Sequence, residues 1–537
     1  MSEQSYIKSI FIKGFKKFRE FDMEFNNQMN IFVGENEVGK STVLNAIKLV
    51  LNQDYRYADK AVLEDLFNVD LIKSFKENPS IENLPKIYIE LELELNPSGK
   101  NAEYFWGEHN LNRTAKYGIS FTCEFDEELG CDIAGLKENS EIPYEYYMLR
   151  WNTFSGMPYN LLKKPLTFLF LNTSEQGRYS SFNYYTRNVF ENSFSDFQKL
   201  EIKNRVRNSL KIDFGKIDSV QLENDRVFGI DSKKVILENI LSIFAQGVSL
   251  ENHGSGMESL IKTEIALNRK DEFNVVLMEE PENHLSFTNM QKMISIVSQR
   301  NESSQLFIAT HSSMIASRLN LRNVFWITEG QAHSLQNVAP EVATFFTKAV
   351  NNNFLQLLLS KKVILVEGPT EFLLVPEFYE QETGKTIFND QVTIISCNGI
   401  SYKKYLQIAE HTDKRIAVLT DNDKNENGQI QSAAALNSAY KEQKEKFRIF
   451  MAQDANQWTW EVCLYHSNEA ILKEFIESSF QKEAAYKYNG EDYGPYIGYM
   501  LNHKADFAFE ILNKNLIRKN NLKMPDYVKE AIQWVSE

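Results

Sequence analysis

Residues 34–42 read GENEVGKST. They stand between an apolar run, NIFV, and a segment with helical periodicity from Ser41 to Leu51. The pattern G-x-x-x-x-G-K-[ST] at a strand-to-helix turn is a phosphate cradle. Gly34 and Gly39 let backbone N–H groups approach phosphates, Lys40 reaches the β- and γ-phosphates, and Ser41 holds Mg²⁺. Asn36 and Thr42, in the same loop, count with them as nucleotide-contacting candidates. Such a loop needs an α/β sheet beneath it, which fixes the fold class of the N-terminal part.

The flanking pattern agrees. YIKSIFIKGF and FDMEFNNQMNIFVGEN alternate as strands, and IYIELELEL (87–95) alternates apolar and acidic residues as a half-solvated strand. YGISFTCEF (117–125) is expected as its antiparallel partner. From about 175 to 250 aromatic and polar residues dominate, with helical patterns in SDFQKLEIKNRVRNSL and KKVILENILSIFAQ; this stretch reads as a helical insertion.

Three later motifs complete the first site. VVLMEEPENHLS (275–286) is a buried strand delivering Glu279 and Glu280 to its C-terminal end, where open α/β sheets bind ligands. Glu279 would hold Mg²⁺ through water and Glu280 would polarise the attacking water. LFIATHSSM places His311 after the neighbouring strand, as a γ-phosphate sensor. HGSGMESL (253–260) opens a helix at Ser255 and Gly256, and a helix N-terminus attracts anions.

A second α/β alternation begins at Leu355. VILVEGPTEFLL ends its strand in Glu367, turns at Gly368, and starts a helix at Pro369 that carries Glu371. VTIISCNGISYKKYL turns at Asn398-Gly399, and RIAVLTDNDKN ends in Asp421 and Asp423, which the i, i+2 spacing sends to one side. Four carboxylates thus gather at neighbouring strand ends. Oxygen-ligated divalent cations, Mg²⁺ or Mn²⁺, relieve that repulsion. The boundary between the two halves is expected near 350–360, giving segments 1–174, 175–250, 251–350 and 355–537.

The set GENEVGKST, HGSGMES, LMEEPENHL and ATHS resembles an ABC-type (AAA15) ATPase head of the RecF/SMC kind. The resemblance implies that Gly254–Glu258 completes the ATP site of a second subunit, hence a homodimer at least, with 175–250 as the dimerisation insertion. Glu258 stands where the family has Gln. The E-G-x-T-E and D-x-D set resembles a TOPRIM domain. The two in this order resemble the OLD (overcoming lysogenization defect) nucleases. That resemblance implies two further residues: Glu461, in WTWEVCL as a T-x-E strand, as a ligand of a second metal, and Lys504, in HKADFAFEIL, beside the scissile phosphate. His503 replaces the family's Gly, and Asp506 is a weaker candidate. Glu367 and Asp421 join Glu280 and Lys504 as the catalytic set.

The expected function is an ATP-regulated, metal-dependent DNA endonuclease. The resemblance further implies an effector of bacterial anti-phage defence, as in Gabija or retron systems, with a helicase or a reverse transcriptase and its noncoding RNA as partner. The alternatives are a RecF/SMC-like DNA-binding repair ATPase whose TOPRIM domain does not cleave, and strand transfer or primer synthesis. The latter lacks a catalytic-tyrosine domain or a primase zinc site.

Composition narrows the setting. Lys+Arg 59 against Asp+Glu 73 gives a net charge of −14, which excludes a uniformly basic coat and permits a local groove. Cys123, Cys131, Cys397 and Cys463 show no metal spacing and no disulfide framework. No apolar run reaches a membrane span, and the N-terminus has no signal-peptide pattern. A cytoplasmic protein without membrane contact is expected.

Overall fold

The structure is a computed structural model. It describes residues 5–537 except 57, 100, 127, 129–140, 173–185, 188, 192, 216–220, 223–225, 228–230, 232–235, 238–239, 269–272, 301–303, 350–352, 398–400, 424–428, 481–485 and 489. Cys131, the Asn398-Gly399 turn and much of the 175–250 insertion fall outside the described residues. The chain divides into two compact units. One comprises Met1–Leu319 with Asn323–Ser334, and the other Leu335–Glu537 with Asn320–Arg322.

In the first unit the strands β1 (Tyr6–Phe15), β2 (Phe18–Glu24), β4 (Ile87–Glu94), β5 (Lys116–Phe125) and β6 (Tyr147–Thr153) form an antiparallel sheet. β4 alternates buried and half-buried positions, as its apolar/acidic period requires, and pairs β5 antiparallel. The second sheet holds β3 (Met29–Val33), β7 (Phe168–Asn172), β8 (Val275–Glu279), β9 (Gln305–Ala309), β10 (Val324–Thr328) and β11 (Gln331–Ser334). Its order is β11-β10-β3-β9-β8-β7, parallel except for the edge strand β11. Four of its strands are buried at every or nearly every position, which is why they read as continuous apolar runs. Helix α1 (Lys40–Asn52) packs into the core: Val43, Leu44 and Ile47 share it with Ile12 and Ile89 of one sheet and Leu277 and Phe307 of the other.

Other helices of this unit include α2 (Asp196–Gly215), α3 (Ser255–Asn268), α4 (Phe287–Arg300) and α5 (Ser313–Arg318). α2 supplies the expected helix at SDFQKLEIKNRVRNSL. The helix expected over 233–246 is not formed by its described residues. Phe244–Ala245 instead pairs Val248–Ser249 in a tight hairpin. Gln246 and Gly247 both have positive φ (51° and 80°), the backbone of a two-residue hairpin turn, and that turn chemistry overrides the apolar periodicity.

The second unit contains α6 (Pro340–Lys348), α7 (Phe354–Leu359), β12 (Lys362–Val366), α8 (Pro369–Thr383), β13 (Val392–Ser396), α9 (Tyr402–Ala409), β14 (Arg415–Leu419), β15 (Phe447–Phe450), α10 (Trp460–Ser467), α11 (Lys504–Asn513) and α12 (Asp526–Ser536). Its sheet is all parallel, in the order β13-β12-β14-β15. The unit starts at Leu335, ahead of the expected boundary at 350–360, because α6 packs there: the Phe346 ring meets Tyr405 of α9 edge-on at 5.3 Å. WTWEVCL is not a strand. Thr459 caps α10 by accepting from the Val462 N–H, and Glu461 lies in its first turn. Among the described residues no helix is long and apolar enough to cross a membrane.

Candidate active sites

In the first unit, strand register decides which loops meet. Glu279 is opposite Ala309, and Ala309 is opposite Phe32, so β8, β9 and β3 end at one edge. From that edge emerge Glu280, Thr310-His311 and the Gly34–Lys40 loop. Gly39 has φ +114°, and a Cβ there would lie 2.3 Å from the Phe18 ring, so only glycine passes. Lys40 is buried and donates from Nζ to the carbonyls of Gly34 (3.0 Å) and Glu35 (2.7 Å). Burial pushes its amine down to about 8, against the opposing charges of Glu280 and Glu282. Ser41 is half-buried, Thr42 buried and Asn36 exposed on the loop.

The carboxylates of EEPE divide by partner. Glu279 is buried, and its Oε2 accepts from Asn172 Nδ2 at 3.0 Å, across the β8–β7 pair. Glu280 has φ +44°, a strained conformation for a side-chain-bearing residue. Its Oε2 accepts from Asn283 Nδ2 at 2.6 Å, and its Oε1 lies 3.9 Å from His311 Nε2. Burial, and then the Lys40 charge, holds His311 below the usual imidazole range. Lys40, Glu280 and His311 are therefore brought together. Ser255 and Gly256 open α3 against a different neighbour: a Cβ on Gly256 would meet the His284 carbonyl at 2.3 Å. No described contact joins them to Lys40. Glu258, in place of the family Gln, forms an ion pair with Lys262 one turn along.

Two residues here escaped the sequence reading. Glu282 Oε1 accepts from Thr310 Oγ1 at 2.7 Å and from the His311 N–H at 2.8 Å, tying the acid loop to the turn that carries the histidine. Its signal was the third acid of EEPE. Asn172 has no local signal; only the β7–β8 register reveals it.

In the second unit the parallel register aligns the ends of β12, β13, β14 and β15, where Glu367 and Asp421 emerge. Each acid is held by a neighbour. Glu367 accepts from Thr420 Oγ1. Asp421 Oδ1 accepts from the Trp460 N–H at 3.0 Å, at the N-terminus of α10. Asp423, with φ +47°, accepts from Gln431 Nε2 at 2.9 Å. Glu461 is 1% exposed; Thr370 Oγ1 donates to its Oε1 at 2.9 Å, and Lys504 Nζ lies 3.0 Å from its Oε2. Asn422, unread in the sequence, donates from Nδ2 to the carbonyls of Ala452, Asp454 and Gln457, fixing the loop before α10. Asp506 points outward on α11 and does not join the cluster, and His503 stacks on Tyr499 at 4.6 Å.

The electrostatics are one-sided. Burial, then the charges of Glu371, Glu367 and Glu461, raises Asp421 well above the usual carboxylate range. Burial, then the Glu461 charge, pushes Glu371 up to about 7. Burial also raises Glu367, with Thr420 opposing. Burial depresses the Lys504 amine, but Glu461, Asp421 and Glu371 outweigh it and the net shift is upward. Among the described residues, four buried or half-buried carboxyls thus face the Lys504 ammonium.

As the side chains stand, no three His, Cys, Asp or Glu among the described residues are close enough together to hold a metal ion. The donor set itself, several oxygens with excess negative charge, fits an oxygen-preferring divalent cation.

Comparison with known proteins places both halves. The model of an AAA domain matches residues 9–320, and that of an overcoming lysogenization defect protein-like TOPRIM domain matches residues 358–423. The DNA replication and repair protein RecF of Clostridium kluyveri is 32% identical over 101 residues, 16% of this chain and 28% of RecF. The chain thus spans about a quarter of that relative's length. Among solved structures, the SMC head domain from Thermotoga maritima aligns with TM-score 0.29 and 15% identity, over 61% of this chain and 97% of that one. RecF with ATP aligns with TM-score 0.32 and 14% identity, over 62% and 98%. The assignment rests on the two family models, the first of which covers more than half of the chain. The chain belongs to the AAA-domain ATPases and, with an OLD-like TOPRIM domain following that head, has the architecture of the OLD family.

Proposed function

We propose that the protein is a divalent-metal-dependent DNA endonuclease whose TOPRIM half cleaves phosphodiesters under control of the ATPase head. The observation that carries this reading is the set of buried and half-buried carboxylates Glu367, Glu371, Asp421 and Glu461, with the Lys504 ammonium on Glu461, at the C-terminal edge of a parallel sheet. Glu367, Glu371, Asp421, Asp423 and Glu461 would hold Mg²⁺ or Mn²⁺. Bound cations supply an activated water and stabilise the leaving oxygen. The chain's own part is to orient and to balance charge. Glu367 and Asp421 are fixed by Thr420 and by the Trp460 N–H, and Glu371 contributes its charge once ionised. Lys504 Nζ exchanges its Glu461 partner for the phosphate, where a positioned ammonium supports the developing charge.

In the head, Lys40 would exchange the Gly34 and Glu35 carbonyls for the ATP phosphates. Gly34, Asn36, Gly39 and Thr42 line the loop, and Ser41 and Glu279 would hold Mg²⁺. Glu280 orients the attacking water, and neutral His311 contacts the γ-phosphate. Ser255 and Gly256, remote from Lys40 in described contacts, would serve the ATP of a second copy. A homodimer follows, built through the heads and the 175–250 insertion; Phe197, Leu200 and Ile212 of α2 are more than half exposed, which supports a contact there. A cytoplasmic role in anti-phage defence, with a helicase or reverse-transcriptase partner, is the biological setting proposed.

The test is nicking of supercoiled plasmid DNA in Mg²⁺ or Mn²⁺, abolished in Glu367→Ala and Asp421→Ala. The local likeness to RecF favours a second reading, a DNA-binding repair ATPase that does not cleave. DNA retained in a mobility shift with no cleavage in any divalent metal selects that reading.

A further inference from the structure

We infer that Thr370 is a positioning residue that sets the half of the acid cluster built around Glu461. The inference rests on the reading above that the cluster binds divalent cations. Thr370 is the second residue of α8 and has no exposed surface. A threonine at that position ordinarily offers its hydroxyl to solvent or to its own helix. Here Oγ1 donates to Glu461 Oε1 at 2.9 Å, with the Lys504 carbonyl at 3.3 Å. One hydroxyl proton serves both, so the shorter bond to the charged acceptor dominates. The other Glu461 oxygen meets Lys504 Nζ at 3.0 Å. A single hydroxyl therefore joins three elements: α8, which carries Glu371, α10, which carries Glu461, and α11, which begins at Lys504.

Burial makes this contact decisive. Glu461 is 1% exposed, so no solvent replaces a lost donor. Without the hydroxyl, the Lys504 pair alone orients the carboxylate and draws it toward the ammonium, away from the other acids. Glu367 and Asp421 are held by other donors, Thr420 Oγ1 and the Trp460 N–H. The effect is confined to one side of the cluster.

The experiment is a Mn²⁺ titration of the full-length protein, followed by electron paramagnetic resonance and calorimetry. It compares wild type with Thr370→Val, which keeps the shape and loses the hydroxyl, and Thr370→Ser, which keeps the hydroxyl. Glu461→Gln marks the Glu461-dependent site. Thr370→Val is expected to weaken that site by about 10–100-fold, the range for outer hydrogen-bond partners of metal ligands, with the other site within about threefold. Thr370→Ser is expected to restore the weak site to within about threefold. Thr370→Val binding like wild type, Thr370→Ser as weak as Thr370→Val, or both sites weakened equally overturns the inference. Should Thr370→Val fail to fold, Thr370→Ala makes the same comparison with Thr370→Ser. Wild type that binds no Mn²⁺ removes the cation reading and the inference with it; wild type that binds while Thr370→Val is unchanged removes the inference alone.

Discussion

The nucleotide loop of the head and the acid cluster of the TOPRIM half solve charge in opposite ways. In the head, one buried ammonium, Lys40, sits among its own loop's carbonyls and in the field of Glu280 and Glu282. What the loop offers a phosphate is that ammonium, at a strand-to-helix turn whose backbone N–H groups can approach an anion. In the TOPRIM half, Lys504 faces four carboxyls, two of which burial, and then mutual repulsion, holds above the ordinary range. The surplus there is negative and made of side chains. The head is therefore shaped for an anion, the TOPRIM half for cations. The two sites should respond in opposite directions to pH and to single-charge deletions.

The largest expected effects come from deleting the defining charge of each site. Lys40→Ala should reduce ATP hydrolysis at least about 100-fold, measured as phosphate release, because no other ammonium is placed on the loop. Next comes pH. Glu371 has a folded pKa of about 7 against an ordinary carboxylate value, so the folded state holds a proton that the unfolded state has lost. Stability contributed by that proton is present at low pH and declines as pH rises through the window up to about 7. A thermal melt followed from pH 5 to 8 should show it, with a loss of up to about 3 kcal/mol. Added Mn²⁺ should offset the decline and Glu371→Gln should flatten it; a melt that rises over the same window contradicts the charge excess. Ligand affinities should run in opposite directions: Mn²⁺ binding should strengthen as Glu371 ionises, and ATP binding should weaken. ATP affinity should fall as pH rises through about 8, where the Lys40 ammonium is lost.

A smaller effect sharpens the head. Because Glu282 holds the His311 N–H and Thr310, Glu282→Ala should slow ATP turnover about tenfold with ATP binding retained, and it should not multiply with His311→Ala. Multiplying effects would show that Glu282 acts apart from the histidine. The smallest is local: Thr459→Ala removes the α10 cap and should lower stability by about 1 kcal/mol in a denaturant melt.

The same contrast governs what was legible in the sequence. The head's loop is contiguous, so one nonapeptide names Lys40 and its glycines. The strand ends Glu279, Glu367 and Asp421 were legible because buried parallel strands are continuous apolar runs with an abrupt acid. Asn172, Thr370, Asn422 and Glu282 were not, since each acts through a partner remote in sequence or through a side-chain geometry no spacing encodes. Glu461 is legible as an acid but its element is not: TWE reads as a strand, while the Thr459 hydroxyl caps a helix. The hairpin at Phe244–Ser249 was missed for a related reason, because two positive-φ residues outweighed a helical period.

The central claim, that the carboxylate cluster and not the nucleotide site carries the cleavage chemistry, is tested most directly by assaying Glu367→Ala for both activities in one Mn²⁺ buffer. The account predicts that nicking of supercoiled plasmid is lost while ATP hydrolysis stays within about threefold of wild type, since Glu367 belongs to a separate compact unit. Glu367→Ala nicking at the wild-type rate would contradict it.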